Sequence, residues 1–116
     1  MTLAVAGDDL FVANGGSVNG LGGSVTKLNA STGASVWVAP EHKVDDPAAV
    51  AVAGNDVFVA DGYGDSVTEL NASTGALVRV FSAPAYKFDV PDAMAVAGGD
   101  LFVANYKGNS VTELPM

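Results

Sequence analysis

The apolar and polar positions of the chain fall into short runs of β-branched, aromatic and small residues. Glycine, asparagine, aspartate and serine separate these runs at intervals of about 8 to 12 residues. That rhythm predicts an all-β protein, and no stretch carries the 3.6-residue apolar period of a helix. Runs at residues 3–6, 50–53 and 94–97 predict one strand each, as do those at 10–13, 57–60 and 101–104. Gly-Asp-Asp, Gly-Asn-Asp and Gly-Gly-Asp join each first run to its second as a tight hairpin, because glycine and Asn/Asp accept the positive φ such turns need. A third set of strands follows at 24–28, 66–70 and 110–114 and a fourth at 35–38 and 77–81, with turns at 29–33 and 71–75 between them.

This order is a repeat. AVAGDDLFVAN at residues 4–14 returns as AVAGNDVFVAD at 51–61 and as AVAGGDLFVAN at 95–105, in steps of 47 and 44 residues. SVTKLNASTGA at 24–34 returns as SVTELNASTGA at 66–76, and SVTEL alone returns at 110–114 before Pro115 and Met116. Residues 51–70 and 95–114 differ at only six of twenty positions, which requires one local fold for both. The first copy differs by a loop insertion, GGSVNGLGG, between its second and third strands.

Four antiparallel strands in about 45 residues is the period of a β-propeller blade. The second strand, read as Leu-Phe-Val-Ala, does not alternate, so both of its faces should be dry, as between two neighbouring blades. Alanine and valine in the first strand suit the crowded centre of a ring. The fourth strand alternates as an outer strand with one wet face, Val36 and Val38 flanking Trp37 and Val78 and Val80 flanking Arg79. Blades are expected at 1–46, 47–90 and 91–116, two of them complete and the third with three strands. Three blades do not close a ring, and an open row leaves an apolar face at each end. Two chains about a two-fold axis would supply six blades over an interface on the order of 2,000 Å² or more. Three chains would supply more than the usual four to eight or so. The expectation is a six-bladed homodimer, with a longer propeller or a borrowed strand as alternatives. Pro115 is read as a strand end, because proline cannot extend a ladder.

LFVANYKGNSVTEL at 101–114, with counterparts beginning at Leu10 and Val57, resembles the YVTN-type β-propeller repeat and, more loosely, the NHL repeats of bacterial and archaeal proteins. The resemblance covers nearly the whole chain. It implies a propeller fold and commonly an extracytoplasmic or ligand-binding role, with a repeat motif that is structural and carries no catalytic residue. Such proteins usually hold six or seven blades in one polypeptide, so this chain of 116 residues is short for the family.

Composition then narrows the function. Thirteen acidic against five basic residues give a net charge of −8, which disfavours nucleic acid and anionic membrane as partners. The absence of cysteine excludes disulfides, CxxC redox sites and thiolate zinc sites. No apolar run approaches the roughly 20 residues of a membrane helix. The opening MTLAVAGDDL lacks the basic flank and apolar stretch of a signal peptide, which leaves the localisation open.

Antiparallel order puts the hairpins and the 29–33 and 71–75 turns on one face and the variable loops on the other. The variable loops are residues 14–23, Gly62-Tyr63-Gly64, Tyr106-Lys107, 40–47 with Glu41 and Lys43, and 82–91 with Lys87 and Asp89. Because function concentrates on loops held by a rigid scaffold, this is the expected binding face. Its candidate ligand-binding residues are Tyr63, Tyr86, Tyr106, Lys107 and His42, the tyrosines either stacking on a sugar or peptide or anchoring their own loops. His42, the only histidine, with Asp45 or Asp46, is what acid–base or metal chemistry would use. A solvated loop histidine is the plainer reading, and two copies across a ring disfavour one asymmetric catalytic set. Asp61 with Asp65, or Asp45 with Asp46, would offer oxygens to calcium or magnesium. Yet Asp61 and Asp65 become Asn105 and Asn109 in the next copy, which turn chemistry explains equally well. Asn14, Asp61 and Asn105 are expected around a channel mouth. Asn29-Ala-Ser and Asn71-Ala-Ser fit the N-glycosylation pattern, but their place in a recurring turn points to Asx hydrogen bonding. Zinc-ligand spacing, phosphate loops, dinucleotide fingerprints and GxSxG are absent. The expectation is a non-catalytic scaffold or binding module without metal or cofactor, presenting its loop face to a peptide, protein or carbohydrate. The alternatives are a metal-assisted lyase or lactonase using His42 and the aspartates, and a structural repeat with no ligand.

Overall fold

The computed structural model describes residues 2–14, 23–39, 47–62 and 64–115. Among them are eleven strands: β1 (Thr2–Ala6), β2 (Asp9–Asn14), β3 (Ser24–Asn29), β4 (Ser35–Ala39), β5 (Pro47–Ala53), β6 (Asp56–Asp61), β7 (Ser66–Asn71), β8 (Leu77–Phe81), β9 (Pro91–Ala97), β10 (Asp100–Asn105) and β11 (Ser110–Pro115). They form three antiparallel sheets in the orders β1-β2-β3-β4, β5-β6-β7-β8 and β9-β10-β11, which is the organisation the repeat predicts.

Local chemistry closes each turn. Gly7, Gly54 and Gly98 take φ of 61°, 60° and 62° at the hairpins, a conformation closed to most side chains. In the next turns Asn29 Oδ1 accepts from the backbone N–H groups of Ser31 and Thr32, and Asn71 Oδ1 accepts from those of Ser73 and Thr74, at 2.9–3.1 Å. These are the expected Asx turns. The two kinds of turn share one face, since Ala30 N–H donates to Asp8 O and Ala72 N–H to Asn55 O, both at 2.7 Å.

The sheets stack like fanned cards. β1 packs beside β5 and β5 beside β9 at the inner ends, where small side chains permit close approach. Phe11, Ala13, Val25 and Ala39 of the first sheet meet Val50, Val57, Val59 and Leu70 of the second. On the second sheet's other side, Ala51, Phe58 and Val67 meet Leu101, Val103 and Leu114. β6 is thus buried on both faces, as its unalternating sequence predicts. β2 and β10 bear nearly the same residues but alternate in burial, because the first and third sheets each have one uncovered face. The first sheet's uncovered face carries Leu3, Val5, Val36 and Val38, with Val5 67% exposed. The third sheet's carries Ala93, Ala95, Phe102, Ala104 and Val111 around a shallow groove.

The valines of the fourth strands face outward or toward the open rim, while Trp37 and Arg79 turn into the joints. The sheets diverge away from the centre, so only a long side chain can bridge them there. The Trp37 indole N–H and Lys27 Nζ both donate to Ala72 O at 3.0 Å, and the Trp37 ring lies 5.9 Å from that of Phe11. In the second joint Arg79 stands in the place of Trp37 and donates to Glu69 at 2.9 Å. A cavity of about 590 Å³ opens beside it, lined by Asp56, Glu69, Arg79, Phe81, Val96 and Leu114.

This cavity makes stability depend on pH. Burial raises the Glu69 carboxyl above the ordinary 4.5; Arg79 opposes the shift and Asp56 reinforces it. Asp100 raises Glu113 in the same direction through a shared hydrogen bond and like charge. A carboxyl raised in the folded state favours folding when protonated, and that contribution is lost as pH rises through its folded value. The melting temperature should therefore fall as pH rises from about 4.5 toward neutrality, with Glu69→Gln flattening the profile. Thermal melts across that interval check this, and a melting temperature that climbs with pH would contradict it.

Candidate functional site

The loops opposite the turn face are tied together by their backbones. The linker between β8 and β9 contains a single 3₁₀ turn, Pro84–Tyr86, followed by Lys87 at φ 56°. Its far end is stitched to both flanking sheets. Val90 N–H donates to Asp65 Oδ1 of the β6–β7 loop at 2.8 Å, and Val90 O accepts from Tyr106 N–H of the β10–β11 loop at 2.9 Å. Beside it, Lys107 N–H donates to Asp89 O at 3.2 Å, and Asp89 N–H donates to Asn105 Oδ1 at 3.2 Å. Asp65, Asp89, Val90, Tyr106 and Lys107 therefore form one continuous surface across the second and third sheets.

Backbone strain marks the same place. Val90 sits at φ 54°, a left-handed conformation that is an outlier for a β-branched residue. Asp65 and Asn109 occupy corresponding loop positions at φ 50° and 48°, where Asp and Asn are tolerated, which accounts for their exchange between copies. The two hydrogen bonds on Val90 hold the strained residue in register ahead of Pro91.

The candidate residues separate by environment. Tyr106 is 68% exposed and Lys107 is exposed next to it. Tyr86 turns inward: its ring stacks on Phe88 with centroids 5.4 Å apart, meets Phe81 edge-on at 5.8 Å, and joins the core between the second and third sheets. It anchors its own loop, and Tyr86 O accepts from the Thr112 hydroxyl at 2.7 Å. Tyr63, His42, Asp45 and Asp46 lie outside the described residues.

Asn14, Asp61 and Asn105, the positions expected around a channel mouth, make hydrogen bonds within their own sheets. They sit at the ends of second strands, not of the innermost first strands, and their side chains turn toward the third strand. Asp61 is 2% exposed and accepts from the hydroxyls of Ser66 at 3.1 Å and Thr68 at 2.7 Å. Asn105 is 3% exposed and donates to Ser110 and Thr112, and Asn14 donates to Ser24 at 3.4 Å. These residues fasten strand to strand inside each sheet. Asp61→Ala should destabilise by about 1 to 3 kcal/mol by stranding two buried hydroxyls. Asp61→Asn, which copies the Asn105 arrangement, should come much closer to wild type in chemical denaturation. Equal losses for the two variants would contradict this role.

Among the described residues no three His, Cys, Asp or Glu side chains gather in a group able to hold a metal ion. The 590 Å³ cavity opens toward the hairpin turns, the side opposite the loop surface. The Asp65–Val90 bond and the packing of Tyr86 were hidden in the sequence, where only the Val-Pro pair at 90–91 hinted at a constrained backbone.

Comparison with known proteins places this arrangement. No curated protein matches the chain. Among solved structures, BamB from Moraxella catarrhalis superposes with a TM-score of 0.69 at 20% identity, covering 98% of this chain and 30% of that one. A Bacteroides fragilis protein assigned as a 6-phosphogluconolactonase superposes at 0.68 and 21% identity, over 92% of this chain and 32% of that one. A europium-containing methanol dehydrogenase superposes at 0.61 and 19% identity, over 87% and 19%. The chain thus spans about a third or less of each of these structures, and they share with it the propeller-type fold. The model of the family described as outer membrane protein assembly factor BamB matches residues 2–115, nearly the full length, and the chain belongs to that family.

Proposed function

We propose that the chain is a non-catalytic propeller scaffold whose loop face binds a protein partner, and that two copies close a six-sheet ring to hold that face rigid. The observation that carries the reading is the stitched surface of Asp65, Asp89, Val90, Tyr106 and Lys107, where strain and cross-sheet bonds fix an exposed tyrosine and lysine side by side. Tyrosine with a neighbouring cation is the chemistry of protein recognition, a large rigid ring beside one steering charge. Membership of a family described as an assembly factor supports a protein as the ligand class over a carbohydrate. Tyr63 and His42, which lie outside the described residues, are kept as candidates on this face from the order of their loops in the sequence, and blades at 1–46, 47–90 and 91–116 are its proposed units. The finer kinship to YVTN-type repeats is part of the proposal and rests on LFVANYKGNSVTEL with its counterparts beginning at Leu10 and Val57.

Selection of binders from a displayed peptide library against the full chain tests the face. Tyr106→Ser and Lys107→Glu should each weaken selected binders by about tenfold or more. Substitutions on the turn face, such as Thr32→Ala, should leave binding unchanged. Binders that depend on the turn face instead would overturn the reading.

A further inference from the structure

The two joints between sheets are built from the same positions of the repeat, so each can be compared with the other residue by residue. In the first joint Lys27 Nζ lies 3.6 Å from Asp9 Oδ2 and 5.7 Å from the centroid of the Phe11 ring. It also donates to Ala72 O at 3.0 Å. A carboxylate, an aromatic face and a carbonyl thus hold a primary ammonium, and its alkyl stem lies sheltered between the sheets.

In the second joint Asp56 stands for Asp9 and Phe58 for Phe11, but Glu69 stands for Lys27 and Arg79 for Trp37. The carboxylate and the ring are kept, and the ammonium is exchanged for a second carboxyl. Asp56 and Glu69 share a hydrogen bond, and the Glu69 side chain is almost wholly buried. Arg79 answers only one of the two. Its Nε donates to Glu69 Oε1 at 2.9 Å, while its largely exposed guanidinium lies 4.7 Å from the centroid of Phe81, not of Phe58. Two carboxyls therefore meet one guanidinium here, where Asp9 and Lys27 balance in the first joint.

Both Phe58 and the acidic pair line the cavity of about 590 Å³, which opens between the hairpin glycines Gly54 and Gly98. Its size is within the range of about 300 to 1,000 Å³ usual for small-ligand pockets. A net charge of −8 draws cations toward it.

We propose that this cavity binds the ammonium end of an aliphatic amine, seated against Asp56 and Glu69 over the Phe58 ring as Lys27 is seated in the first joint. The alkyl chain runs along Phe58 and out between Gly54 and Gly98 on the turn face. A free amine and the lysine side chain of a partner protein share this chemistry. The site lies opposite the loop surface, so it goes beyond the protein-binding reading given above and stands or fails apart from it.

The test follows amide chemical shifts of the isotope-labelled full chain at neutral pH, titrated separately with n-butylammonium, with N-acetyl-lysine amide and with neutral butanol. The expected result is saturable shifts at Gly54, Asp56, Glu69 and Gly98 with n-butylammonium and none with butanol at the same concentrations. Glu69→Gln and Asp56→Asn should each weaken n-butylammonium by about tenfold. Both changes preserve side-chain shape, and circular dichroism melts verify that the variants fold. Saturation by n-butylammonium alone makes a free amine the ligand, and saturation by the lysine derivative as well makes it a lysine side chain. Equal affinity for wild type and both variants, equal shifts with butanol, or shifts confined to the loop face would overturn the proposal.

Discussion

Replacing Phe58 with alanine lowers stability by about 3 to 5 kcal/mol, a large share of what a domain of this size holds. Phe58 is almost fully buried between the second and third sheets, against the cluster of Leu101, Val103 and Leu114. No neighbour can collapse into its place without pulling a whole sheet inward, so the loss combines lost transfer energy with a cavity. Equilibrium unfolding in urea measures it, and a midpoint unchanged from wild type would remove Phe58 from the joint. Phe102 holds the same place in the repeat but lies half-buried on the uncovered face of the third sheet. Its truncation therefore separates two situations. In an isolated chain it costs little, whereas in a closed ring it approaches the loss at Phe58.

The second large effect is at Gly75. Its φ is 78°, and a Cβ there would stand 2.8 Å from two atoms of the Trp37 indole. Gly75→Ala thus adds overpacking of about 1 to 3 kcal/mol to a left-handed penalty of about 1 to 2 kcal/mol. Gly33, its counterpart in the first sheet at φ 75°, has nothing within 4 Å of such a Cβ. Gly33→Ala should therefore show the backbone penalty alone. The difference between the two melting temperatures reads out the clasp of Trp37 on the second sheet. Equal losses would mean that the indole moves aside freely.

The strands were legible because each copy repeats the same punctuation. Glycine at 7, 54 and 98 and asparagine at 29 and 71 end strands for stereochemical reasons that act within a few residues. The propeller stacking was legible for a similar reason, since Val-Phe-Val-Ala in β6 has no polar face to offer to water. What escaped depends on neighbours far along the chain. Asp61 and Asn105 sit at strand ends, where the sequence places loop chemistry, yet hydroxyls on the next strand capture them. Trp37 and Arg79 interrupt a run of valines and look outward, but Trp37 reaches across to Ala72 of the second sheet, while Arg79 stays largely exposed and folds onto Glu69 and Phe81 of its own sheet. Tyr86 was one of three loop tyrosines with no feature to set it apart. Only the nearby Phe81 and Phe88, brought together by the 3₁₀ turn, make it a core residue.

Closure of the ring by a second copy is the claim on which the rigid loop face depends, and absolute mass in solution tests it most directly. Light scattering on a sizing column, at several concentrations, should return the mass of two chains throughout, with Phe102→Ala shifting the protein toward a single chain. A stable monomer at every concentration, with its uncovered faces left to water, would contradict it.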